Sequence, residues 1–149
     1  MKKSFSHLDQ RGAARMVNIG AKPVQHRRAV AGATLVCARG TIRALKAAAL
    51  PKGDVLAVAR IAGIQAAKRT ADLIPLCHPL PLHQVTVDYL VKADRIEIRA
   101  AAATEGKTGV EMEALMAVTV AALTLYDMLK AVDKAMRIEG VRVLLKEKK

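Results

Sequence analysis

Aromatic side chains are nearly missing from this chain, with one Phe, two Tyr and no Trp in 149 residues. The core must therefore be built from Ala, Leu, Val and Ile, which bury little area each. Self-association is the expected way to bury more. The same shortage argues against a single-strand nucleic-acid binder, which stacks bases on aromatic rings. Cysteine is scarce too. Cys37 and Cys77 form no CxxC pair, which leaves neither a structural zinc site nor a disulfide framework. No uninterrupted apolar run reaches the length of about 18 residues that marks a transmembrane helix. The lysines at the start precede no apolar segment of the signal-peptide kind. A cytoplasmic location is the default expectation. Acidic residues are outnumbered, 13 against 25 Lys and Arg, for a formal charge of +12. Such an excess implies an anionic partner or a solvated basic surface. Lys146, Lys148 and Lys149 supply part of it as a basic tail.

What is present is 52% apolar residues in a length that suits one domain, 1–149. Residues 1–15 are polar, without a period, and expected to be poorly ordered. Met16–Ile19 reads as a short strand or extended segment. Lys22-Pro23 holds Lys22 extended. Ala29–Ala38 reads as a strand, preceded by Arg27, which either faces a phosphate or is solvated at a strand start. Gly40 breaks the strand, and Thr41 is a candidate N-cap for a helix over residues 42–50 that ends at Pro51. Asp54 can cap a second helix over Val55–Leu73, with Gly63 marking close packing at its centre. Near its end, Lys68 and Arg69 suit the negative end of the helix dipole.

Pro75, Pro79 and Pro81 exclude a helix and a central strand from IPLCHPLPL. Its apolar content predicts a packed irregular segment that fixes the imidazole of His78. Cys77, His78 and His83 have poor spacing for a metal and lack a fourth ligand, so no metal site is expected. His83–Lys92 and Arg95–Ala103 alternate around the turn Ala93-Asp94 and predict a β-hairpin. A Gly-flanked turn, GKTG, then opens a long Ala-rich helix of about six turns, or roughly 35 Å. Arg137–Leu145 is a final strand, with Gly140 as a candidate bulge. The order of elements predicts an α+β fold, a split βαβ plait with an antiparallel sheet and helices packed on one face.

GKT invites a phosphate-loop reading, but the glycine such a loop needs five residues earlier is Ala101. Glu111 and Glu113 follow at once. They would repel phosphate and suit an amine-bearing group such as a guanine edge. On a helical wheel Glu113, Ala117, Val120, Thr124 and Asp127 share one stripe. Glu113 and Asp127 are nonetheless about 21 Å apart along the axis, too far for one small substrate. Either one of them is structural, or two subunits each contribute one end to a shared site. Asp127 and Lys130 lie at i,i+3 and form either an ion pair or an acid/base couple.

The stretches PKGDVLAVARIAGIQAAKRTADLIPLCHPLPL and GKTGVEMEALMAVTVAALTLYDMLKAVDK closely resemble the molybdenum-cofactor biosynthesis protein C family, the cyclic pyranopterin monophosphate synthases. The resemblance runs from about Lys22 to Lys146. It implies a ferredoxin-like plait and a homohexamer, a trimer of dimers, with sites at subunit interfaces. It implies conversion of a GTP-derived cyclic nucleotide triphosphate, 3',8-cyclo-7,8-dihydro-GTP, to cyclic pyranopterin monophosphate with release of pyrophosphate, and no metal or organic cofactor. Membrane and nucleic-acid partners are not implied. By resemblance, Leu76, Cys77 and His78 match a substrate-binding LCH, while Met112, Glu113 and the neighbouring Glu111 match a substrate-binding set. Asp127 matches the catalytic aspartate. Lys130, Lys52 and Lys68 match lysines for triphosphate binding or proton transfer, and Arg27 matches a basic residue of the N-terminal segment. His78, Asp127 and Lys130 are thus the candidate proton-transfer groups. The family's Gly- and Ser-rich tail, with its further lysine, has no counterpart here. Lys146 aligns, and Lys148 or Lys149 stands where a replacement is needed. The competing readings are a nucleic-acid binder and a family member that has lost catalysis.

Overall fold

The computed structural model describes residues 7–9 and 11–149. The expectation for residues 1–15 therefore falls partly outside the described residues. Within them, Leu8 and Ala14 pair in an isolated antiparallel bridge. Asp9 closes the intervening turn by accepting from the backbone N–H of Arg11 and Ala13. Residues 16–19 form no strand.

The ordered elements are β1 (Gln25–Val36), α1 (Arg39–Lys46), α2 (Val55–Lys68), α3 (Thr70–Leu73), β2 (Gln84–Val91), β3 (Arg95–Gly106), α4 (Glu111–Leu129) and β4 (Arg137–Lys148). The four strands make one antiparallel sheet in the order β2-β3-β1-β4. This is the ferredoxin-like plait that the element order predicts. Period-two alternation assigns the faces. Ala29, Ala31, Ala33 and Leu35 of β1 and Ile96, Ile98, Ala100 and Ala102 of β3 are buried in one core with Ala114, Ala117, Val118, Ala121 and Leu125 of α4. Eight of those thirteen side chains are Ala, so α4 lies close against the sheet. Glu97, Arg99, Arg142 and Leu144 border a groove on the opposite face.

Gly63 is where α2 and α4 approach each other. A Cβ placed there would stand 2.7 Å from the Ala117 carbonyl oxygen and 3.2 Å from the Ala121 Cβ. Only glycine admits that approach, as the sequence suggests. Asp54 caps α2 as expected, accepting from the Ala57 N–H. The hairpin β2–β3 is also as expected, in the register Asp88↔Arg99 and Val91↔Ile96. Gly140 sits at φ 66° beside a register shift between β1 and β4, the bulge that the sequence suggests.

Several local expectations give way to tertiary contacts. Thr41 is not an N-cap. The helix begins at Arg39, with Ala38 at the cap position and no local side-chain cap. The carboxylate of Asp133, 95 residues downstream, accepts instead from the Ala38 N–H at 2.7 Å, and also from Thr41 Oγ1 at 3.0 Å. A cap delivered from elsewhere in the fold leaves no signal beside the helix. This helix also stops at Lys46 rather than running to Leu50; Ala48 takes a positive φ of 51°. The second helix does not continue to Leu73. It ends at Lys68, and a separate turn, α3, follows. Thr70, buried, directs its hydroxyl to the Ala67 carbonyl. β1 starts four residues before Ala29 and takes in Arg27, while β3 extends to Gly106. The helix α4 has 19 residues, about 28 Å, and ends before Lys130, which is its C-cap. The basic tail is not a tail, because Lys146 and Lys148 belong to β4 and pair with Ala29 and Arg27. The Pro-rich segment is irregular, as its prolines require, but half-buried rather than enclosed.

Of the described helices, α4 is long and apolar enough to cross a membrane. Its buried residues form the core against β1 and β3, and its first turn carries Glu111 and Glu113.

Candidate functional site

The first turn of α4, the irregular segment after α3 and the chain before β1 meet around a cleft of about 270 Å³. Leu76, Cys77, His78, Glu111, Met112 and Glu113 all line it. Each arrives for a local reason. The prolines keep residues 75–81 out of regular structure, so LCH crosses the cleft as a rigid edge. Gly109 and Val110 end the GKTG turn and start α4, which presents Glu111, Met112 and Glu113 in succession. His78 Nε2 lies 2.8 Å from the Val17 carbonyl oxygen. A carbonyl only accepts, so Nε2 carries the proton, and Nδ1 is the acceptor in the neutral ring.

The two glutamates differ in environment. Burial raises the pKa of Glu113; backbone hydrogen bonding opposes this and the charge of Glu111 adds to it. For Glu111 burial pushes upward as well, but Lys146, its own backbone N–H and Arg27 outweigh it, so its pKa falls below the ordinary range. Lys146 reaches Glu111 from β4 as an ion pair. The cleft thus holds one carboxyl whose pKa is raised beside one whose pKa is lowered. The Cys77 thiol is pushed up by burial and by Glu113. Arg27 is tethered to Gln25 through Nη2, and its Nε is buried without a partner.

Asp127 is not in this cleft. It stands at the other end of α4, about 21 Å along the axis from Glu113. It is exposed, with its Oδ1 2.6 Å from Lys130 Nζ and its Oδ2 3.3 Å from Lys52 Nζ. Hydrogen bonds from Lys130 and then Lys52 lower its pKa, and Asp127 in turn raises that of Lys130. Both groups are open to solvent, so screening weakens this coupling. Gly63 faces Ala117, and Lys52, just before α2, reaches Asp127. The two helices therefore run antiparallel, which brings Lys68 to the Glu113 end, where it is exposed.

The sequence-predicted residues thus form two groups at opposite ends of one helix. The cleft group contains Leu76, Cys77, His78, Glu111, Met112 and Glu113, with Arg27 and Lys68 at that end. The second group is Lys52, Asp127 and Lys130. His7, Val17, Ile19 and Lys22 also line the cleft. They lack a motif, and the extended reading of Met16–Ile19 and of Lys22 before Pro23 was the local signal in that stretch. Among the described residues, no cluster of three or more His, Cys, Asp or Glu is placed to hold a metal ion.

A family model described as "MoaC family" matches residues 16–149. The chain is 55% identical over 142 residues to a protein of Novosphingobium aromaticivorans named cyclic pyranopterin monophosphate synthase, covering 95% of this chain and 90% of that one. A protein of the same name from Chloroflexus aggregans is 53% identical, with 95% and 87% covered. Cyclic pyranopterin monophosphate synthase 1 of Mycobacterium tuberculosis H37Rv is 55% identical, with 97% and 85% covered.

Proposed function

The chain belongs to the MoaC family, and from that premise we propose that it is a cyclic pyranopterin monophosphate synthase of molybdenum cofactor biosynthesis. It takes 3',8-cyclo-7,8-dihydro-GTP and yields cyclic pyranopterin monophosphate and pyrophosphate, as a phosphorus–oxygen lyase without a metal or organic cofactor. The observation that carries this reading is the cleft, where six residues of the two matched motifs converge and two adjacent carboxyls have acidities driven apart.

The residue chemistry fits such a substrate. Glu111, ionised, accepts from N–H donors of the purine-derived ring, and Glu113 with Met112 flanks the same edge. His78 is held in one tautomer by the Val17 carbonyl. It shares proton movement with Asp127 and Lys130 during ring rearrangement. Expulsion of pyrophosphate builds negative charge, which Lys52, Lys68, Lys130 and Arg27 are suited to stabilise.

Two groups about 21 Å apart serve one substrate only if a second copy brings Asp127, Lys130 and Lys52 to the cleft of the first. This supports a homohexamer, a trimer of dimers, with its sites at subunit interfaces. Leu90, Val143, Leu144 and Leu145 are exposed apolar side chains available for such contacts. Incubation with the cyclised intermediate tests the activity. Pyrophosphate and the cyclic pterin should accumulate with the wild type and not with Asp127→Ala; no turnover by the wild type would refute it. Mixed Glu113→Ala and Asp127→Ala protomers should regain part of the activity, and no regain counts against the shared site.

A further inference from the structure

The GKT lysine has no part in the function proposed above, yet it makes a specific contact. Lys107 Nζ donates to the Gly20 carbonyl oxygen at 2.5 Å. Gly20 belongs to an irregular segment that borders the cleft through Val17, Ile19 and Lys22. Outside this contact, the only side-chain hydrogen bond among the described residues from the body of the fold to residues 16–22 is that of His78 to the Val17 carbonyl. Among the described residues the segment's other bonds are its own: Asn18 Oδ1 accepts from the Gly20 N–H, and the Ile19 carbonyl accepts from the Lys22 N–H. It contributes no strand to the sheet. A self-contained turn fastened by two side chains opens far more readily than a strand of the sheet.

We propose that residues 16–22 form a strap that closes the cleft, and that Lys107 is its latch, a positioning residue that holds Gly20 rather than a ligand for phosphate. The two fastenings come from the two sides of the cleft, Lys107 from the turn before α4 and His78 from the Pro-rich edge. Released, the strap would withdraw Lys22, Ile19 and Val17 from the cleft wall and admit solvent. Closed, it excludes water and confines the ligand. The positive charge of Lys107 is spent on a backbone carbonyl, which explains a GKT sequence that lacks the rest of a phosphate loop.

Hydrogen exchange on the full-length wild-type, Lys107→Met and Lys107→Arg proteins, without ligand, tests this independently of catalysis. Lys107→Met keeps the aliphatic stem and removes the donor. Exchange at the Gly20 and Lys22 amides should quicken about tenfold, the order expected for losing a charge-assisted hydrogen bond, while amides of β1 and β3 keep their wild-type rates. Lys107→Arg should restore most of the protection. Unchanged exchange at Gly20 and Lys22 in Lys107→Met would overturn the latch. So would an equal acceleration in β3, which would mean general loosening, or failure of Lys107→Arg to restore protection.

Discussion

Replacing Asp133 should weaken the whole fold by removing a cap that comes from the far end of the chain. Asp133 as a residue is 6% exposed. It accepts from the Ala38 N–H at 2.7 Å, the Thr41 hydroxyl at 3.0 Å and the Ala135 N–H at 3.0 Å. Losing an N-cap costs about 0.5–2 kcal/mol, and each further buried donor left unpaired costs about 1–3 kcal/mol where water cannot reach it. Partial hydration keeps the sum for Asp133→Ala near about 3 kcal/mol. For a chain of this size that lowers Tm by roughly 6–12 °C. Asp133→Asn retains one acceptor but turns an NH2 toward a donor, and should lose about half as much. The pH dependence has a definite sign. Hydrogen bonding from Ala38, followed by Ala135 and Thr41, holds the folded pKa below the ordinary carboxylate value, against the opposing effect of burial. Its contribution is therefore complete above the unfolded pKa of about 3.9 and fades as pH falls through the lower folded value. Urea unfolding of wild type and both variants at pH 7, 5 and 3 measures it. The gap between wild type and Asp133→Asn should hold from pH 7 to 5 and narrow by pH 3. A loss below about 0.5 kcal/mol for Asp133→Ala at pH 7, within the range of an ordinary surface change, would refute the reasoning, and so would a gap that does not narrow in acid.

Gly63→Ala gains helix propensity of up to about 1 kcal/mol, but its Cβ meets the Ala117 carbonyl oxygen at 2.7 Å. Overpacking of about 1–3 kcal/mol should win, lowering the thermal midpoint by several degrees in a melting scan. Asp127→Asn should cut turnover by about a hundredfold or more yet leave Tm nearly unchanged, because the side chain is exposed; parallel assay and melting check this. Glu113→Gln removes a charge that raises the Cys77 pKa, so alkylation of Cys77 by iodoacetamide at pH 8 should quicken by roughly twofold to fivefold. Cys37, buried with its thiol pushed up to about 11, gives little background.

The sequence alone determined the sheet and its long core helix. Alternation in residues 83–92 and 95–103, and an uninterrupted Ala-rich run from Glu111, are local patterns with one low-energy answer each. Gly63 and Gly140 were legible because a glycine inside a regular element has few other causes. The resemblance of LCHPL and GKTGVEMEAL named six candidate site residues, and the fold brings all six to one cleft. Tertiary structure decided what depends on distant partners. Asp133 moved the start of α1 to Arg39, because a carboxylate 95 residues away accepts from the Ala38 N–H and also from the hydroxyl of Thr41, the residue expected to cap the helix locally. Pairing with β1 turned the lysine tail into a strand and carried Lys146 to Glu111. The approach of the segment before β1 placed Val17, Ile19 and Lys22 at the cleft and gave Lys107 its partner. Local propensity is written along the chain, whereas a hydrogen bond or ion pair between residues far apart exists only once packing has set their separation.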